Sequence, residues 1–196
     1  MKTVIFDMYG VIIKDPGGNL VPFVNRTFPE LKTEDVYIHW MDGNIGSRPS
    51  SEFFKNIGYK GDLAEIEAEY LNSIEIDGAF IETALTLRRY YRLALLSNDL
   101  SEWSDFLRRK FELNSLFDAI IVSGDVKIKK PDPLIFRMML DRLAQPASEC
   151  IYVDDRRSNL TAARSLGMDT ILFNSRNVSF DGKIVNNFHE LAEMLL

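Results

Sequence analysis

"CIYVDDRRSNLTAARSLGMDTILF", residues 150–173, holds two short apolar runs, at 150–154 and 170–173, on either side of a polar, helix-compatible segment. Continuous apolar runs of this length, bounded by polar residues, read as strands buried on both faces. The segment between them, 157–166, stops at Gly167, a residue suited to a helix C-cap. Strand, helix and strand within so short a stretch imply a right-handed crossover in a parallel sheet.

Working outward, three further runs share this character: "TVIFD" at 3–7, "LALLS" at 93–97 and "AIIVS" at 119–123. Helices are expected over 101–113, beginning at Ser101, and over 132–143, after Lys130-Pro131. The result is five strands alternating with helices. Residues 14–91 break the rhythm, because they are too long for one crossover. They contain "NLVPFVNRTF", "SSEFFKNIGY", "DLAEIEAEYLNSIEI" and "AFIETALTLRRYY", with no strand signal. Residues 16–78 therefore read as a small helical insertion after the first strand, with 79–91 returning the chain to a core formed by 1–15 and 79–196.

The bulk composition sets the outer bounds. A chain of 196 residues, 46% hydrophobic, can bury one sizeable core without disulfides or a structural metal. The net charge of −6 and the scattering of Lys and Arg among acids point away from nucleic acid as a partner. A lone cysteine, Cys150, excludes an intramolecular disulfide and any multi-cysteine metal site. It begins a buried run and is expected to be inert. No apolar stretch of the length a membrane span needs is present, and the N-terminus has no secretory pattern, so the expected location is the cytoplasm.

In open parallel sheets ligands bind beyond the carboxyl ends of the strands. Those ends carry Asp7, Ser97-Asn98 and Asp154-Asp155, and Lys130 lies in the loop "SGDVKIKKPDP" after the third strand. Three carboxylates gathered at one crevice repel one another, and a cation resolves the conflict. Mg²⁺ is the natural choice, since it takes a few carboxylate oxygens and keeps several waters. A hydroxyl and an ammonium beside it suit a dianionic phosphoryl group. Phosphoryl transfer is the chemistry this set predicts, with Asp7 attacking phosphorus to form an aspartyl-phosphate.

Four motifs in this order resemble those of the haloacid dehalogenase-like hydrolases: Asp7 in "FDMYGVI", Ser97 in "LLSND", Lys130 in "KKPDP", and "YVDDRRSNLTAARSLGM". The resemblance implies a Rossmann-like α/β core with a helical cap inserted after the first motif. It further implies that Asp7 is nucleophile and metal ligand, that the Tyr9 backbone carbonyl is a second ligand, and that Asp155 binds the metal directly. Asp154 would act through a water or by orienting Lys130. Ser97, the Asn98 backbone and Lys130 would hold the transferred group, and Asn159 would support the fourth motif.

One position departs from the pattern. Phosphatases of the family usually carry an acid where Tyr9 stands, and that acid moves the protons of both steps. Tyrosine there resembles the true 2-haloacid dehalogenases, whose halide leaving group needs no proton. The Asp154-Asp155 pair resembles the phosphatases instead. The expected activity is a Mg²⁺-dependent hydrolysis of a small phosphorylated metabolite, with dehalogenation and a non-catalytic binding role as alternatives. Arg26 and Arg48 are the candidate arginines of the cap. His39 and His189 lack a ligand pattern and read as packing or surface residues, and Phe53, Phe54 and Tyr59 read as cap core.

Overall fold

The computed structural model describes residues 1–15 and 19–196. Six parallel strands form one sheet in the order β3-β2-β1-β4-β5-β6. They are β1 (Thr3–Phe6), β2 (Arg92–Ser97), β3 (Ala119–Val122), β4 (Cys150–Asp154), β5 (Asp169–Phe173) and β6 (Lys183–Val185). Five of these match the expected runs. The sixth, "KIV", is three residues long with an exposed first residue, too short to give a periodic signal.

The helices in chain order are α1 (Leu20–Thr27), α2 (Thr33–Gly43), α3 (Phe53–Asn56), α4 (Leu63–Ser73), α5 (Phe80–Leu87), α6 (Ser101–Lys110), α7 (Ser123–Val126), α8 (Pro133–Leu143), α9 (Arg157–Ser165) and α10 (Phe188–Leu195). Helix α6 stops short of the expected 113, where Glu112 adopts a left-handed conformation (φ 55°) and a 3-10 turn follows. Helix α8 starts as its residues demand. Asp132 caps it, its carboxylate accepting from Leu134 N at 2.9 Å, and Pro133 occupies the first turn. Gly167, at φ +93°, closes α9 as expected.

Side chains alternate across the strands and build a core on each face. Val4, Phe6, Leu93, Leu95, Ile151 and Val153 join one cluster, and Ile5, Ala94, Leu96 and Tyr152 the other. Phe80, Leu107 and Phe188 cover the first face, and Phe136, Met139 and Leu160 the second.

Helices α1 to α4 lie between β1 and β2, where the sequence predicts an insertion; its expected first residues, 16–18, lie outside the described residues. They share the first core. Trp103 of α6 meets Tyr70 at 5.0 Å and Phe53 at 5.1 Å between ring centroids. Phe53 and Phe54 are buried there, and Tyr59 packs on Phe28, so these rings are packing residues as expected. The Lys110 ammonium donates to the carbonyls of Leu71, Asn72 and Ile74 at 2.8–3.1 Å, satisfying acceptors at the end of α4. No helix among the described residues is long and apolar enough to cross a membrane.

Strand order and register place the site. The chain runs outward from β1 through β2 to β3, then returns across β1 to β4, so the switch point lies around β1. Phe6 is level with Leu95 on one side and Val153 on the other, and Asp7 N still donates to Val153 O at 2.9 Å. Asp7, Ser97 and Asp154 therefore leave the sheet at one edge.

Candidate active site

At that edge the carboxylates of Asp7, Asp154 and Asp155 offer oxygens within 4.8 Å of one another, and all three residues are buried. Lys130 stands between two of them. Its ammonium lies 2.7 Å from Asp7 Oδ1 and 3.1 Å from Asp154 Oδ2, and donates to Leu96 O at 2.8 Å. The loop that carries Lys130 is tied to β2 by Asn98, whose side chain accepts from Lys130 N at 2.8 Å and donates to Lys130 O at 3.0 Å. Asn98 thus contributes its side chain to loop placement, a role its expected backbone contact did not include.

The three acids have unlike surroundings. Asp154 accepts from the Asn159 amide at 3.0 and 3.1 Å, from Arg156 N at 2.7 Å and from the Tyr152 hydroxyl. Burial alone would raise its pKa, yet Lys130 and these donors hold the carboxyl below its ordinary value. Asp154 is a fixed anion that anchors Lys130. Asp7 accepts from Met8 N at 2.6 Å, but burial, reinforced by Asp154 and Asp155, pushes its carboxyl well above the usual range against the pull of Lys130. Asp155 pairs one oxygen with Arg176 Nε and leaves the other, Oδ1, buried without a partner among the described residues. Burial and Asp154 raise its pKa too.

This set fits a divalent cation. Three buried carboxylates against the Lys130 ammonium and the Arg176 guanidinium still leave an excess of negative charge in direct contact, and Asp155 Oδ1 is a ligand atom without a partner among the described residues. Gly10 keeps the space open: at φ +84°, a Cβ there would strike the Asp155 carboxylate. The Ser97 hydroxyl, at the end of β2, is also buried and has no hydrogen-bond partner among the described residues.

Two features escaped the sequence reading. The first is Asp99, fully buried, whose carboxylate accepts from the Tyr9 hydroxyl at 2.9 Å and from Leu100 N at 2.8 Å. Burial pushes this carboxyl up to about 8, despite both hydrogen bonds. The second is the arginine of the cavity. Arg26 and Arg48 are exposed and do not line it; the arginine that does is Arg156, from the fourth motif. The cavity encloses about 170 Å³ over Asp7 and Lys130, with Trp40, Met41 and Asn44 of the insertion on its opposite wall. Neither His39 nor His189 approaches it.

A family model described as haloacid dehalogenase-like hydrolase matches residues 1–167. The chain belongs to the haloacid dehalogenase-like hydrolases. Among curated relatives, D-ribitol-5-phosphate phosphatase of Bacteroides thetaiotaomicron is 26% identical over 186 residues, covering 87% of this chain and 90% of the relative. Several longer curated relatives are spanned over only 18–38% of their length. An L-2-haloacid dehalogenase structure shares the fold with a TM-score of 0.77 at 17% identity, over 100% of this chain and 98% of that one. A haloacid dehalogenase-family enzyme from Bacteroides thetaiotaomicron, solved with magnesium and inorganic phosphate, aligns with a TM-score of 0.73 at 22% identity, over 88% and 93% of the two chains.

Proposed function

We propose that this hydrolase is a Mg²⁺-dependent phosphomonoesterase of small metabolites that works through an aspartyl-phosphate on Asp7. One observation carries the reading: Lys130 bridges Asp7 and Asp154 while Asp155 keeps a buried oxygen without a partner among the described residues. Asp7, Asp155 and the Tyr9 carbonyl would hold the ion, with Asp154 acting through water. Bound there, Mg²⁺ supplies charge neutralisation at the phosphoryl oxygens.

The chain's own residues divide the remaining work. Asp7 attacks phosphorus in line; its carboxylate oxygen gains the P–O bond as the ester P–O bond breaks, and the alcohol departs with a proton from solvent. Water then attacks phosphorus, releasing phosphate and restoring Asp7. Lys130 holds Asp7 in place and meets the phosphoryl charge with its ammonium. Ser97, whose hydroxyl has no partner among the described residues, hydrogen-bonds a phosphoryl oxygen. Asp154 and Asn98 position Lys130. The insertion, 16–78, acts as the cap that closes the cavity through Trp40, Met41 and Asn44. The phosphatase relative of similar length supports the same class of substrate.

Phosphate release from a panel of sugar, polyol and hydroxy-acid phosphates tests the reading. Turnover that vanishes with chelator and with Asp7→Asn supports it, and activity that survives chelation overturns it. Tyr9 is the observation that favours dehalogenation instead. Its marker is metal-independent halide release from 2-chloropropionate.

A further inference from the structure

Lys130 sits on the floor of the cavity, 3% exposed, whereas Arg156 is half-buried and lines three adjoining spaces. These are the cavity over Asp7, the cleft beside Arg176, and the groove between α1 and α2 that holds Tyr37 and Trp40. Arg156 is therefore at the rim, where the part of a substrate beyond its phosphoryl group must lie.

The guanidinium of Arg156 makes no hydrogen bond or ion pair among the described residues. Its backbone is fully used: N donates to Asp154, and O accepts from Asn159 and Leu160. The charges of Asp155, Asp7 and Asp154 act on it through space, but none of these carboxylates is within contact, so its five donors lack acceptors among the described residues. Across the cavity stands a second unpartnered polar group. Asn44 is 3% exposed, and its side-chain oxygen has no hydrogen bond among the described residues. Trp40 and Met41 supply the apolar wall between them.

Resting on the phosphatase reading, we infer that the preferred substrate is a small phosphate ester carrying a second acidic group, a phosphorylated hydroxy acid, whose carboxylate is received by Arg156. A planar guanidinium matches a carboxylate through two parallel hydrogen bonds, and a site built for such a pair discriminates strongly against esters that lack it. Asn44 supplies a further polar contact to the substrate body. The volume of about 170 Å³ over Asp7 and Lys130 suits a phosphoryl group with a few carbons. Arg156 lies directly after the acidic pair of the core, not in the cap.

3-Phosphoglycerate and glycerol 3-phosphate form a matched pair, differing only in carboxylate against hydroxymethyl. The wild-type kcat/KM is expected to favour the acid by at least tenfold, and Arg156→Gln to cut that ratio about 10–100-fold, with partial recovery in Arg156→Lys. Melting temperatures check that the variants fold, and the wild-type ratio needs no variant at all. No wild-type preference for the acid overturns the inference, as does an equal loss on both esters in Arg156→Gln, which would place Arg156 on the transferred phosphoryl. p-Nitrophenyl phosphate separates the two levels. Its hydrolysis without preference for the acid leaves the phosphatase reading standing and removes the substrate class; no hydrolysis of any ester removes both.

Discussion

The Tyr9 hydroxyl donates to the buried Asp99 carboxylate at 2.9 Å, so the side chain that departs from the family's phosphatase pattern is committed to a structural partner. Tyr9 lines the cavity, yet its hydroxyl is engaged. Burial and Asp99 hold the phenol well above its ordinary pKa, which rules it out as a base near neutral pH. Tyr9→Phe removes the donor and leaves a buried acceptor short of a partner, an expected loss of about 1–3 kcal/mol. Urea unfolding measures it, while phosphate release should stay within a few-fold, because only the Tyr9 backbone is assigned to the metal.

Asp99 gives stability a defined pH dependence. Its carboxyl holds a proton in the folded chain up to about 8, against 3.8 for the ordinary group. Between those values the folded state binds more protons than the unfolded one, so this contribution is complete below about pH 4 and is lost as pH rises through 8. Melting curves from pH 5 to 9 should show wild-type stability falling with pH more steeply than that of Asp99→Asn. Parallel slopes would contradict the assignment.

Lys130 serves two buried carboxylates and a strand-end carbonyl at once. Lys130→Met leaves Asp7 and Asp154 without their counter-ion, and breaking a buried pair in this way costs about 3–5 kcal/mol. Both chemical stability and turnover should fall. Asp7→Asn, which removes a destabilised carboxylate, should abolish turnover while melting at or above the wild-type temperature.

Metal binding is expected to stabilise the fold by mass action, about 2.7 kcal/mol at a hundredfold excess over Kd. A Mg²⁺-dependent rise in Tm measures this without reference to activity. Asp155→Asn should weaken the response by tenfold or more in Mg²⁺ concentration. Gly10→Ala should do the same, since its Cβ meets the Asp155 carboxylate at a backbone conformation alanine disfavours.

Much of this site is legible in the sequence because each member sits at the end of a strand that announces itself by continuous apolar character. "TVIF", "LALL" and "CIYV" fix where Asp7, Ser97 and Asp154 leave the sheet, and strand register does the rest. β6 stayed hidden because three residues with an exposed start give no period. Asp99 and Arg156 stayed hidden for another reason. Both stand within two residues of motif positions, but their importance comes from long-range partners: Tyr9, ninety positions away for Asp99, and the cap wall for Arg156. Arg176, which pairs Asp155, sits on a loop beyond the last expected strand, where local pattern carries no signal.

The phosphoryl group is expected to pass through the Asp7 carboxylate. Reduction of a reacting mixture with borohydride converts an acyl phosphate to an alcohol, so peptide mass spectrometry should find homoserine at position 7, only with substrate and Mg²⁺ present. Phosphate release with an unmodified Asp7, or with the label on another residue, would contradict the account.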